Sequence, residues 1–311
     1  MNDYIKDLSY IISNCEMDNT YKMSWIRSIV EICDTNPNPK QLVHFDEVSP
    51  LIFKYYWNQS IFFDLEQGPN LRKRPKIHQL VKECIDEYQI DYGFKPELFY
   101  RVEDRVVIPV TKISNVLKQD VSHRFLKVGG HEYNTYKLNS KNKTIEIKCP
   151  EIVKEFSDIL YELINYRWTQ KLEDLNTSPK ISQKVRGTDR GKISRKSLTP
   201  FKRFLDVENP RRKCFISGEN INENDLSIDH VIPWSYMYSD DLWNLVYVKK
   251  GLNSGKSNRI PNEEEIIRLE KRNKKLLNHL EKTDISSKHI DELRMSVERD
   301  WVKKNWVGFK G

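Results

Sequence analysis

Two short β-branched runs followed by a polar segment able to start a helix constrain this chain more than anything else in it. They are Leu226-Ser227-Ile228-Asp229-His230-Val231-Ile232-Pro233-Trp234-Ser235, then Leu242-Trp243-Asn244-Leu245-Val246-Tyr247-Val248, then Leu252-Asn253-Ser254-Gly255-Lys256-Ser257-Asn258. β-Branched and aromatic residues suit a pleated, half-buried surface, so the order reads strand, loop, strand, helix. Neighbouring side chains on a strand face opposite ways, so Asp229 and His230 can share one site only if the strand bends or ends between them and Pro233.

The residue types in this stretch match the needs of phosphodiester hydrolysis. That reaction calls for a divalent ion to polarise the phosphate and a base of near-neutral pKa to activate water. Asp229 offers a carboxylate and His230 the base. Asn253 adds a neutral oxygen for a hard cation such as Mg²⁺, which takes few protein oxygens and keeps several waters. Lys256, three residues beyond Asn253, projects beside it on a helix and can clamp a phosphate oxygen. The acidic pair Asp240-Asp241 reads as a cap on the turn before Leu242.

The spacing carries a resemblance. Fourteen positions separate His230 from Asn244 and nine separate Asn244 from Asn253. This resembles HNH endonucleases, including the HNH domain of RNA-guided CRISPR effectors. The wider string, Ile228-Asp229-His230 with Pro233-Trp234-Ser235 and Leu242-Trp243-Asn244-Leu245-Val246, is more similar still to free-standing bacterial members.

The resemblance implies a ββα-metal module of the His-Asn-Asn variant. Asp229 and Asn253 would hold Mg²⁺ or Mn²⁺, His230 would act as general base, and Asn244 would tie the loop and orient His230. Many such modules carry two C-x-x-C pairs for a structural zinc. Here the first survives only as Cys214 with Ser217 and the second falls on Lys249 and Leu252, so no structural zinc is expected and packing around Trp234 and Trp243 must hold the module.

Around this module the chain divides. Its 311 residues exceed the size at which single cores usually stop growing. Helical spacing of Trp25, Ile26, Ile29, Val30 and Cys33 predicts a helix capped from Asn19-Thr20 and stopped by Asn36-Pro37. The aromatic run Leu51 to Trp57 predicts core helix. Tyr136 and Leu138 against Ile145 and Ile147 predict a hairpin, and Gly129-Gly130 a turn. A single helix is expected from Glu151 to Asn176, another starting at Pro261, and a last one from Ser287 to Trp306. The expected fold is α+β: residues 1–176 as a mainly helical domain with a small sheet, 177–213 as a basic linker or arm, and 214–311 as the nuclease module with C-terminal helices.

The net charge of +7 is modest, but it is concentrated. Between Lys180 and Lys213 stand twelve Lys or Arg, among them Lys184, Arg190, Lys192, Arg195, Lys196, Arg211, Arg212 and Lys213, against three acids. Arg195, Lys196, Arg211, Arg212 and Lys213 are therefore candidate phosphate contacts that would track DNA independently of sequence. The five scattered cysteines fit reduced thiols. With no signal-peptide pattern and no long apolar run, a cytoplasmic chain with no membrane partner is expected.

The function expected from the residues and the resemblance together is a metal-dependent DNA endonuclease. Such chains include restriction and phage-defence nucleases, which implies a Zorya-type nuclease subunit with partner proteins of a defence system. The competing readings are a non-catalytic nucleic-acid-binding protein on a degenerate HNH scaffold and a ribonuclease. Pure binding requires none of Asp229, His230 and Asn253, whereas a site that reads phosphate and metal discriminates DNA from RNA poorly.

Overall fold

The computed structural model of the chain describes residues 3–70, 72–189, 191, 193, 195–256, 259–283 and 286–310, with side chains not described at 189, 255, 256 and 310. Arg190, Lys192, Asn258 and the side chain of Lys256 thus lie outside the described residues. The chain forms two compact units, one of residues 1–176 with 181–193 and one of 177–180 with 194–311. Helices dominate and the sheets are small and antiparallel, an α+β fold.

The first unit runs α1 (Asp3–Asn14), α2 (Tyr21–Thr35), β1 (Leu42–His44), α3 (Phe45–Phe63), α4 (Lys76–Tyr92), α5 (Val110–Val116), β2 (Lys127–Val128), β3 (His131–Glu132), β4 (Tyr136–Asn139), β5 (Thr144–Ile147), α6 (Pro150–Glu155), α7 (Ser157–Leu175) and α8 (Ile181–Asp189). The expected hairpin is β4 and β5, paired Tyr136 to Ile147 and Leu138 to Ile145, with β1 added on the far edge of β5. Gly129 and Gly130, both at positive φ, turn β2 into β3. Trp25, Phe45, Phe53, Tyr56, Trp57 and Trp168 are fully buried and form an aromatic core. α2 stops at Thr35 as Asn36-Pro37 predicts, but its cap differs: Asn19 Oδ1 accepts from the Tyr21 amide, while Thr20 turns inward to the core.

Three helix expectations need correction. The stretch from Glu151 to Asn176 is two helices, because Phe156 leaves helical geometry at φ −103°, ψ 13°. The helix expected from Pro261 starts at Glu263, where Asn262 and Glu265 form a reciprocal capping box. The last helix is broken at Asp300, whose left-handed φ of 53° ends one helix and lets another begin at Trp301.

The segment 177–213 is not uniformly extended. α8 lies in it, and Lys184 is buried against the Phe63 ring of the first unit rather than presented to solvent. α9 (Lys202–Glu208) belongs to the second unit, which continues β6 (Leu226–His230), α10 (Trp234–Met237), β7 (Leu245–Lys249), α11 (Lys250–Lys256), α12 (Glu263–Leu280), α13 (Lys288–Glu298) and α14 (Trp301–Lys310). Its core gathers Phe204, Leu205, Trp243, Leu245, Leu269, Leu276 and Leu293. All five cysteines are free thiols. No helix among the described residues is long and apolar enough to cross a membrane.

Candidate metal and nuclease site

β6 and β7 pair in unbroken antiparallel register, from Leu226 opposite Lys249 to His230 opposite Leu245. The strand that carries Asp229 therefore ends on His230, and the chain bends at Val231 and Ile232. Pairing runs through His230, so Asp229 and His230 stand on alternate faces of the ribbon at the point where it ends. What fixes the bend is Asn244. The Ile232 amide donates to Asn244 Oδ1 (2.8 Å) and Asn244 Nδ2 donates back to the Ile232 carbonyl (2.8 Å). The Val231 amide donates to the Asn244 carbonyl (2.9 Å). A fully buried amide holding both backbone polar groups of one residue leaves neither orphaned and gives the turn one conformation.

His230 is buried at its ring, and Nε2 meets Asp240 Oδ1 at 3.0 Å. A carboxylate only accepts, so Nε2–H is the donor in this bond and the ring is held in one orientation. Asp240 is thus not a simple cap: it orients the histidine. Its neighbour Asp241 accepts from the Ser239 hydroxyl (2.5 Å), and only its backbone carbonyl caps the following turn, by accepting from the Asn244 amide.

Asn253 sits on α11, which packs on both strands. Its Nδ2 donates to Ser227 Oγ (2.9 Å), and this leaves Oδ1 as the atom the amide can offer to a cation. Ser227 and Asp229 are two apart on one strand and share a face, so the bond brings Asn253 to the face of Asp229. A carboxylate and an amide oxygen, both half-buried, fit a small hard cation that keeps most of its waters. Among the described residues no group of three or more His, Cys, Asp or Glu converges as a metal centre, here or elsewhere, so the candidate ligands are one carboxylate and one amide.

Arg195 ties these parts together. Its guanidinium lies over the Trp234 ring, 4.7 Å from the centroid. Desolvation by the surrounding protein lowers its pKa, opposed by the carboxylates of Asp229 and then Asp240. One cation therefore feels both the metal-ligand candidate and the carboxylate that orients His230.

Residues 214–262 match the HNH endonuclease family. No curated protein and no solved structure matches the chain. An HNH endonuclease domain implies a nucleic-acid substrate, and such nucleases generally use divalent ions. All four of Asp229, His230, Asn244 and Asn253 fall inside the matched HNH segment.

The HNH segment is closed without a cysteine pair. The Cys214 amide donates to the Glu219 carbonyl (2.7 Å) and the Gly218 amide to the Cys214 carbonyl (2.8 Å), a tight turn. Lys249 Nζ reaches Glu219 Oε2 at 2.5 Å across to β7. Burial pushes the Cys214 thiol up, but hydrogen bonds from Ser217, Lys249 and Ile216 outweigh it and bring its pKa below the ordinary value. On the far side, α12 secures the loop. Arg272 donates to the Leu242 carbonyl (3.3 Å) and to that of Leu245, and Asn273 to that of Trp243 (2.8 Å).

The other basic candidates separate. Arg212, at a left-handed φ of 47°, gives its guanidinium to Asp206 (3.1 Å) and Glu223 (2.9 Å), so its charge is neutralised within the unit. Arg211, Lys213 and Lys196 are exposed. Sequence reading missed the part Asp240 plays. The signal was an acid in the loop closing β6 onto β7, and only the bend after His230 shows which of the adjacent acids turns inward.

Proposed function

We propose that this chain is a metal-dependent HNH endonuclease that hydrolyses DNA phosphodiester bonds. The observation that supports it best is the His230–Asp240 pair at the end of the strand that carries Asp229, with Arg195 in the field of both Asp229 and Asp240. Asp240 holds the His230 ring in one orientation, and the imidazole draws the proton from the attacking water. Asp229 and Asn253 would hold Mg²⁺ or Mn²⁺. When bound, that ion supplies Lewis-acid stabilisation of the phosphate and of the leaving oxygen. Arg195, stacked on Trp234 with its planar fork pre-oriented, binds a non-bridging phosphate oxygen. Asn244 does no chemistry; it keeps the bend that delivers His230. Lys256 would add a second phosphate contact from α11.

One such site addresses one strand at a time, so the monomer nicks, and a double-strand break needs two copies or two visits. The setting we infer is cytoplasmic restriction or anti-phage defence of the Zorya type, acting with partner proteins on double-stranded DNA.

The experiment is incubation of the pure protein with supercoiled plasmid and Mg²⁺. Nicked or linear product is expected, EDTA stops its formation, and Mg²⁺ or Mn²⁺ restores it. Full activity in chelator would overturn the metal mechanism, and cleavage confined to an RNA control would overturn the substrate assignment.

A further inference from the structure

A cleft of about 540 Å³ opens in the second unit between the chain after α9, β7 and α12. Neither Asp229, His230 nor Asn253 lines it, so it is distinct from the site above. Its charged lining is Arg211, Lys213, Arg268, Arg272 and Lys275, with Glu208 as the one acid. Lys275 already reaches Glu208 at 3.5 Å. Arg211, Lys213 and Arg268 have no ion-pair partner among the described residues. Arg268 lies over the Phe215 ring at 5.1 Å, which holds its planar group in one orientation.

Arg272 supplies an independent observation. It is only 8% exposed, it donates to two backbone carbonyls, and its Nε is buried without any hydrogen-bond partner. Among the described residues no carboxylate stands within salt-bridge distance of it, and the field of Glu208 opposes the desolvation that lowers its pKa to about 10. A buried cation is costly unless an anion meets it. Here the missing anion is matched by an open cleft rimmed with further cations.

We propose that this cleft is a phosphate-binding subsite that grips the nucleic-acid backbone beside the scissile position. The proposal rests on the nuclease reading for its ligand but not for its geometry. β7 borders the cleft at Val246 and Tyr247 and is paired to the strand carrying Asp229 and His230. Neighbouring strands lie about 4.8 Å apart and duplex phosphates recur every ~3.4 Å per strand. The cleft and the candidate site are thus carried by neighbouring strands of one ribbon, and in this reading one substrate spans both.

The test uses the full chain carrying His230→Ala, so that DNA is bound without being cut, and a labelled short duplex titrated over a range of salt. Replacing exposed Arg211 and Arg268 together with Gln is expected to flatten the dependence of log affinity on log salt by about two. The same charge removal at Lys303 and Lys304, which lie outside the cleft, is expected to leave the slope unchanged. An unchanged slope in the Arg211/Arg268 double variant would overturn the subsite. So would pyrophosphate raising the unfolding temperature of the parent but not of the double variant while duplex binding stays equal, because the ligand would then be a small phosphate compound. Arg272→Lys, which keeps the charge but loses the fork, is expected to weaken binding with the slope kept; equal binding would also count against the subsite. Plasmid nicking by the chain with His230 intact separates the two claims. Nicking with an unmoved slope removes the subsite alone, and a moved slope without nicking leaves the subsite and removes the nuclease reading.

Discussion

In the first unit one buried polar network is neutral and closes on itself. The Tyr56 hydroxyl meets Thr20 Oγ1 at 2.7 Å, Thr20 donates to Gln67 Oε1 at 2.6 Å, and Gln67 Nε2 donates to Gln59 Oε1 at 2.8 Å. Trp168 Nε1 adds a longer bond to the same Gln67 oxygen. In the second unit neutral amides such as Asn244 also close on the backbone, but charged groups stand among them: His230 with Asp240, Arg195 in the field of Asp229, and Arg272 with no carboxylate within salt-bridge distance among the described residues. A closed neutral network stabilises and specifies one packing. An open charged one costs stability and keeps free energy of interaction for a ligand. The comparison teaches that a closed neutral network and a set of unevenly paired charges can be carried by two units of one chain.

The sharpest way to break that division is at His230. His230→Ala is expected to lower plasmid cleavage by about 10³-fold, within the range for removing a general base, while gel-shift retention of DNA is nearly intact. Loss of both together would make His230 a folding residue like those of the first unit. Asp240→Asn comes next. It keeps the shape but weakens orientation of the ring, so kcat is expected to fall about 10- to 100-fold with KM unchanged. A rise in KM alone would move Asp240 from positioning to substrate contact.

How much of this was legible in the sequence follows from the reach of each signal. Local ones carried well. The alternation of Tyr136, Leu138, Ile145 and Ile147 gave the hairpin, and the strand, loop, strand, helix order gave β6, β7 and α11. The spacing from His230 to Asn244 and Asn253 drew the site residues from a likeness rather than from periodicity. Long-range pairings were not legible. Nothing adjacent in sequence links Asp240 to His230, Arg195 to Trp234, or Arg211 to Arg268, because a charge on an irregular segment has no period. The basic run misled for the same reason. Composition counts Lys184, Arg195 and Arg212 alike, yet the fold buries the first, lays the second over the Trp234 ring and neutralises the third.

The first unit has its own test of the comparison. Gln67→Ala takes the partner from the Gln59 oxygen and from Trp168 Nε1 and leaves the Thr20 hydroxyl with Tyr56 alone, and unfolding is expected to become about 2–4 kcal/mol easier in denaturant titration. The cleavage rate per folded molecule is expected to be unchanged. A parallel drop in that rate would tie the neutral network to the chemistry and erase the contrast.

The smallest effect expected is a pH dependence confined to the first unit. His78 is fully buried, and burial, with Lys82 and then Arg74, lowers its pKa to about 3. Glu66 Oε2 is 3.6 Å away but is already held by Arg74 in a two-pronged pair, so its charge is committed and the imidazole stays neutral. In the unfolded chain the same histidine titrates near 6.5. Between about pH 6.5 and 3 the unfolded state therefore binds the extra proton, and stability that is fully present above 6.5 is lost as pH falls. The loss is expected to reach ~1 kcal/mol between pH 6.5 and 5.5, read by chemical unfolding at each pH. His78→Gln removes the titrating group and flattens that segment of the profile, whatever it does to stability at neutral pH. A profile that keeps its slope in the glutamine variant would assign the acid sensitivity to the charged second unit instead.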